Sequence, residues 1–320
     1  MKRVRRLTLL IGCLVLVQPA CAEDYPVKPV RYIVAFPAGG NSDLIARLVG
    51  QKLSESLGRP FVADNRGGAG GIIAEELTAR SAPDGYTLVL VSITHILTPI
   101  LNKNLHYDPM RDLTPVSLVT SAPNILVIHR SLGVQTVPEL IALARAKPGA
   151  LTYASSYGSS LHIAGELFKS MAGVDIVSIS YKSGALAVPD LETGRVHMAF
   201  SAITTALAML KSGRMRGLAV TSARRMTILP ELPAMSEFVP GYESTGWHGI
   251  LAPAGTPRAI VDRLGHEIAT IMRMPDVRSK LTALGLEPVG STPEEFARFR
   301  KTESAKLVQL AAKAGIKAEN

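Results

Sequence analysis

Residues 30 to 47 constrain the fold more than any other stretch of this chain. The apolar run Val30-Arg31-Tyr32-Ile33-Val34-Ala35-Phe36 reads as a strand, breaks at Pro37-Ala38-Gly39-Gly40-Asn41-Ser42, and restarts as a helix at Asp43. Leu44, Leu48, Leu53 and Leu57 give that helix an apolar stripe, and Gly58 is placed to end it. Such a turn makes an anion seat. Gly39 and Gly40 carry no Cβ, so a ligand can approach the main chain, and the unpaired N–H groups of the first helical turn point at it. The spacing is neither G-x-x-x-x-G-K-S nor G-x-G-x-x-G, so a small anion such as a carboxylate fits better than a nucleotide. Ser42 and Asp43 read in two ways, as caps of the helix or as caps that also touch ligand.

The same rhythm continues along the chain, which predicts an α/β fold. Strands are expected at 86–91, 125–128, 151–154, 176–179, 197–200 and 217–220, with helices between them. Thr136-Val137-Pro138-Glu139 opens one helix and Thr256-Pro257 another. Thr292-Pro293-Glu294-Glu295 is a capping box that launches a long final helix through Phe296, Phe299 and Leu307. No solenoid repeat, low-complexity tract or flexible linker interrupts the pattern. Two segments read as crossings between lobes, Ser121-Ala122-Pro123-Asn124 and the stretch from Gly241 to Gly249 around Trp247. On that reading residues 23–122 and 246–320 form one discontinuous lobe, residues 123–245 form the other, and a hinged cleft lies between them.

A second turn resembles the first. Tyr153-Ala154-Ser155-Ser156-Tyr157-Gly158-Ser159-Ser160 leads into a helix with Leu161, Ala164, Phe168 and Met171 on one face, and its hydroxyls could cap N–H groups or join them in holding a carboxylate. Further turns at Tyr181-Lys182-Ser183-Gly184 and at Phe200-Ser201-Ala202-Ile203-Thr204 also precede helices. Several helix starts could therefore converge on one pocket.

The amino terminus reads as an export signal. Lys2, Arg3, Arg5 and Arg6 precede the eleven-residue apolar run Leu7 to Val17, and Ala20-Cys21-Ala22 has the small-x-small form of a cleavage site, so residues 1–22 are expected to be removed after Ala22. That run is too short to span a bilayer core of about 30 Å. Cys21 offers a second reading, the lipidated first residue of a lipoprotein, although Gln18-Pro19-Ala20 lacks the leucine usual at such sites. Both cysteines, Cys13 and Cys21, lie in this leader, which leaves the processed chain without thiol or disulfide chemistry. The leader also holds four of the 35 basic residues and none of the 26 acidic ones, so the net charge of +9 falls to +5. With basic residues scattered and only 5% aromatics, a nucleic-acid surface is not expected.

Catalytic patterns are weak. Ser159 and Ser160 lack the G-x-S-x-G elbow that exposes a nucleophile, and His162 with Glu166, one helical turn apart, has no further histidine nearby to complete a metal site. An internal bond between His162 and Glu166 is the plainer reading. His95, His106 and His248 are isolated in sequence, and Asp108 and Asp112 flank Pro109 as turn residues.

Taken together, the segments resemble the Bug family of extracytoplasmic solute-binding proteins, the TctC-like receptors of tripartite tricarboxylate transporters. The likeness rests on Tyr25-Pro26 with Lys28-Pro29-Val30, on Phe36-Pro37-Ala38-Gly39-Gly40 with Asp43 and Ala46-Arg47, and on Asn65-Arg66 with the glycine-rich run 67–71. It continues through Tyr107-Asp108-Pro109 with Asp112-Leu113, Tyr153-Ala154-Ser155, His162 with Glu166-Leu167-Phe168, and Tyr181-Lys182. Leu218-Ala219-Val220-Thr221, Trp247 and Ala252-Pro253-Ala254-Gly255-Thr256-Pro257 complete it.

The resemblance implies a two-lobed periplasmic-binding-protein fold of type II, closing over a small organic acid without a cofactor, metal or catalytic residue. The expected first-lobe contacts are Phe36, Ala38, Gly39, Gly40, Asn41, Ser42 and Asp43, with Thr94 and His95. The expected second-lobe contacts are Ser155, Gly158, Ser159, Tyr181 and Ser201. A di- or tricarboxylate, an aromatic acid or an acidic amino acid would be the ligand, the membrane permease of a tripartite tricarboxylate transporter the partner, and a periplasmic monomer the working form. Tyr157 followed by a lone Gly158, and Ser180 and Ser183 in place of a common Pro and Gly, depart from the family pattern where ligand identity is read. Two other functions remain open on sequence grounds: an accessory sensor docking onto a two-component sensor kinase, and a periplasmic hydrolase. Comparing ligand uptake with ligand-induced transcription in a deletion strain separates the first from transport.

Overall fold

The computed structural model describes residues 25–156, 159–181, 184–226 and 228–313. The leader 1–22, with Cys21, and the departures at Tyr157, Gly158 and Ser183 lie outside the described residues. The first third of the chain runs β1 (Val30–Val34), α1 (Asn41–Leu57), β2 (Phe61–Asn65), α2 (Ile72–Ala79), β3 (Thr87–Ser92), α3 (Thr94–Leu101) and β4 (Leu113–His129). The middle follows as α4 (Val137–Ala146), β5 (Thr152–Ser155), α5 (Ser160–Ala172), β6 (Val177–Ser180), α6 (Val188–Glu192), β7 (Met198–Ala202), α7 (Ile203–Lys211) and β8 (Met215–Val220). The chain then returns through β9 (Thr245–Pro253), α8 (Arg258–Arg273), α9 (Pro275–Ala283), β10 (Glu287–Pro288) and α10 (Pro293–Lys313).

One mixed sheet threads the molecule in the order β2-β1-β3-β9-β4-β7-β5-β6, with β8 and β10 also paired to β4. Strands β2, β1 and β3 are parallel, as βαβ crossovers through α1 and α2 require, whereas β9 runs antiparallel to both β3 and β4. β4 belongs to both halves. It pairs with β9 from Leu113↔Pro253 to Pro123↔Thr245, and from Asn124↔Ala202 onward it pairs with β7, with β8 on its other edge.

The sequence reading finds only residues 125–128 of this 17-residue strand. Its first half carries Pro115, Ser117, Thr120, Ser121 and Pro123, which break the apolar run. Register shifts between Pro115 and Ser117 and between Leu118 and Thr120 absorb the irregular residues. β9 likewise begins at Thr245, inside the stretch read as a crossing.

Apolar burial follows this sheet. One cluster, with Tyr32, Val49, Leu88, Val116, Ile250 and Leu264, packs β1, β3, β4 and β9 against α1 and α8. Another, with Ile125, Val127, Leu191, Ile203 and Met215, packs the far half of β4 against α6 and α7. A third runs through both halves, from Ile33 and Trp247 to Tyr153, Phe168 and Phe200. Trp247 stands edge-on to Phe296 and Phe299 of α10 at 5.8 and 5.6 Å. The capping box at the start of α10 forms as the sequence predicts, with Thr292 Oγ1 accepting from Glu295 N at 3.2 Å and Glu295 accepting from Thr292 N at 2.9 Å. Asp108 accepts from Met110 N at 2.9 Å while Asp112 accepts from Asp108 N at 2.8 Å, which makes the expected turn.

His248 on β9 is buried, with Nδ1 2.9 Å from Thr120 Oγ1, and burial depresses its pKa from 6.5 to about 4. Between those values the unfolded chain takes up a proton that the folded chain refuses, so stability falls as pH falls. The loss starts below pH 6.5 and is complete near pH 4. At about 1.36 kcal/mol for each pH unit separating the folded and unfolded values, it amounts to at most about 3 kcal/mol. Burial lowers the pKa of His162 in the same way. Urea unfolding at pH 7 and pH 4.5 should show this loss, and His248→Gln should reduce the difference. An unchanged difference would mean that His248 is not the acid-sensitive group.

Candidate functional site

The turn between β1 and α1 is held open from below by side chains. Gly39 has φ +87° and Gly40 is the helix N-cap, with no side chain accepting from the first helical turn. α1 therefore begins at Asn41, two residues before the sequence reading. Asp43 is only 4% exposed and accepts from Gly39 N at 2.9 Å and from Arg47 Nε at 3.0 Å. Arg47 reaches on to Asn65 Oδ1 at 3.2 Å, and Asn65 Nδ2 donates to Phe36 O at 3.1 Å. Arg47, with smaller help from Gly39 N–H and Asn65, holds the Asp43 carboxyl below its ordinary pKa against the pull of burial. Asp43 thus braces both ends of the turn through Oδ2, while its buried Oδ1 accepts no hydrogen bond among the described residues. Ala38, Gly39, Gly40 and Asn41 stay exposed, and Ser42 is buried.

The glycine-rich run after β2 explains itself here. A Cβ on Gly67 would lie 3.0 Å from Pro37, and one on Gly71 3.4 Å from Ala35 and 3.7 Å from Thr94 Oγ1. The two glycine loops pack on one another, and Thr94 faces the second of them. His95, one residue on, is fully buried, with Nδ1 2.7 Å from Glu75, which also accepts from Tyr107 Oη at 3.2 Å. Its ring stands edge-on to Trp247 at 6.5 Å. His95 is therefore a core residue and not a wall of a ligand cavity, because its partners come from α2 and β9, far away in sequence.

A cavity of about 350 Å³ lies where the halves of the molecule meet. Asn41, Ala122 and the tip Leu284-Gly285-Leu286 form one wall, and Ser156, Ser159, Ser160, Leu161, Gly184, Ala202 and Ile203 form the other. Pro123 and Asn124 close its floor on β4. Three helix starts converge there: Asn41 of α1, Ser160 of α5 and Ile203 of α7. α1 and α7 have no side-chain cap, and in α5 Ser159 Oγ caps only His162 N at 3.4 Å. None of the described lining residues carries a formal charge. N–H groups and hydroxyls facing a space with apolar flanks suit a small anion whose charge is met by dipoles.

Of the expected contacts, the structure brings Asn41 and Ser159 to this cavity, with Phe36, Ala38, Gly39 and Gly40 in the turn just before Asn41. Gly158 lies outside the described residues. Ser155 is buried with Oγ 2.8 Å from Ser178 Oγ, and Ser201 is buried within β7 while its neighbours Ala202 and Ile203 reach the cavity. Tyr181 donates its hydroxyl to Asp190 at 2.8 Å, so that group is spent on α6. Ser155, Ser201 and Tyr181 support the wall from behind. Ser159 Oγ donates to Ser156 O, at 2.6 Å, which ties it to the main chain. Glu166 accepts from Tyr153 Oη at 2.7 Å and from Lys169 Nζ at 3.0 Å. Sequence reasoning missed Asn124 and the tip 284–286, and reached Ile203 only as part of the turn at 200–204; for Asn124 the signal was a polar residue opening an apolar strand.

The family model described as Tripartite tricarboxylate transporter family receptor, TctC, matches residues 45–316. Protein BugT of Bordetella pertussis is 35% identical over 320 residues, covering 98% of this chain and 98% of that protein. Among solved structures, Rpa4515 of R. palustris with adipate is 38% identical with a TM-score of 0.76, covering 92% of this chain and 100% of that one. MatC from Rhodopseudomonas palustris with bound malate is 29% identical with a TM-score of 0.70, covering 89% and 99%. The fold is that of the periplasmic solute-binding proteins, and the chain belongs to the tripartite tricarboxylate transporter receptor family, TctC, in which BugT is among its relatives.

Proposed function

We propose that the protein is a periplasmic receptor that captures a small organic carboxylate between its lobes and delivers it to the permease of a tripartite tricarboxylate transporter. The observation that carries the reading is the uncharged cavity onto which α1, α5 and α7 direct their first turns from opposite sides. A carboxylate fits because N–H groups and hydroxyls can meet its oxygens, while Leu161, Ile203, Leu284 and Leu286 accept a short carbon chain. The adipate and malate held by two solved relatives support the same class. Lobes dividing near residues 123 and 245 would close over the acid, because a ligand touching both walls favours the closed state by its differential affinity.

Thermal unfolding with a panel of succinate, adipate, malate, citrate, benzoate and glutamate tests the reading. The fitting acid at 100 times its Kd should stabilise the folded state by about 2.7 kcal/mol, a rise of roughly 4 °C for a chain of this length. A panel that shifts nothing, with native mass spectrometry showing an empty protein after gentle purification, overturns it. Unchanged uptake of that acid in a deletion strain would overturn the delivery step alone.

A further inference from the structure

Asn124 stands where β4 changes partners. Its predecessor, Pro123, pairs with Thr245 of β9, and Asn124 itself pairs with Ala202 of β7. Its main chain is fully used, since N donates to Thr221 Oγ1 at 2.8 Å and O accepts from Thr221 N at 2.9 Å. Its side chain is not. The residue is 3% exposed and lines the cavity floor, and Nδ2 has no hydrogen-bond partner among the described residues. A buried amide donor without a partner is costly and rare, and one on the wall of a ligand cavity is met by what fills it.

We propose that Asn124 donates to a carboxylate oxygen of the bound acid, and that it does so from the pivot of the molecule. The assignment rests on the carboxylate reading of the cavity. A residue on the strand shared by both lobes moves least when they rotate, so its bond to ligand forms in the open and the closed state alike. It therefore contributes to affinity without contributing to closure, which depends on contacts that differ between the states. The approach of the tip at Gly285 to Ile203, across the cavity, supplies those.

The test uses the panel acid that most stabilises the native protein, with calorimetric titration, thermal unfolding of the unliganded protein and small-angle scattering. Asn124→Leu should raise Kd on the order of 10- to 100-fold, as expected for losing a hydrogen bond to a charged group. It should leave the unliganded melting temperature at or above that of the native protein, because an orphan donor has been replaced by an apolar group of similar size. At saturating acid the contraction seen by scattering should be undiminished. Asn124→Asp, which replaces the donor with an acceptor, should weaken binding at least as much. An unchanged Kd in both variants overturns the assignment, as does a loss of unliganded stability in both that parallels the loss of affinity. A native protein that binds no acid of the panel brings down the carboxylate reading itself, and this assignment with it.

Discussion

Replacing Arg300 with alanine should destabilise the protein by about 2–4 kcal/mol, because buried carbonyls lose a charged donor and the side chain leaves a cavity. Arg300 projects from α10 and is 2% exposed. Its guanidinium donates to Leu113 O and Pro109 O at 3.1 Å each and to Met110 O at 3.4 Å. Burial lowers its pKa to about 10, against the opposing pull of Glu75 and Asp108, so it stays charged at neutral pH. These bonds fasten the last helix to the turn that feeds β4. Alanine leaves the carbonyls without partners and opens a cavity the length of the side chain. Lysine should recover little, because a single ammonium cannot fork towards carbonyls in several directions. Urea unfolding reads the effect, and a loss below about 1 kcal/mol in Arg300→Ala would show that water replaces the clamp.

Gly285→Val should weaken ligand binding on the order of 10- to 100-fold and hold the lobes apart. Gly285 follows α9 with φ +74°, and a Cβ there would come 2.8 Å from Ile203 Cβ and 3.3 Å from its Cγ2. Ile203 opens α7 on the opposite wall, and its Cβ, next to the backbone, cannot swing away. The added side chain thus meets the opposite wall of the cavity, and the left-handed φ adds strain of roughly 1–2 kcal/mol. Calorimetry and small-angle scattering with a bound acid check the result. Pairing Gly285→Ala with Ile203→Gly should recover part of the affinity, since the second change removes the Cβ that the added methyl would meet at 2.8 Å and leaves only the strain. If Gly285→Val binds like the native protein, this contact is not part of closure.

The α/β class and the first glycine turn were legible in the sequence because both are local. Gly39, at φ +87°, marks a backbone that glycine supplies cheaply, and the stripe of α1 follows at once. The Thr292–Glu295 cap was readable for the same reason. What was not legible depends on contacts between distant segments. β2 ends in Ala63-Asp64-Asn65 and carries the exposed Val62, so it gives little strand signal, yet β1 recruits it as a parallel edge. His95 follows Thr94 in sequence but belongs to Glu75 and Trp247. Asp43 reads as a cap or a ligand contact, and only the fold shows Arg47 and Gly39 meeting at its Oδ2. The wall at 284–286 has no motif, since its role comes from where α9 stops and not from its side-chain chemistry.

The partner change within β4 has a consequence for how such a molecule comes apart. Two globules joined by a slack tether can melt in turn, each keeping its own interior. Here a single backbone serves as the central rib of both, bonded to β9 in one stretch and to β7 and β8 in the next. Removing either set of partners would leave that rib with bare edges, so a gene fragment encoding only one set should yield a sticky remnant, read as association in solution.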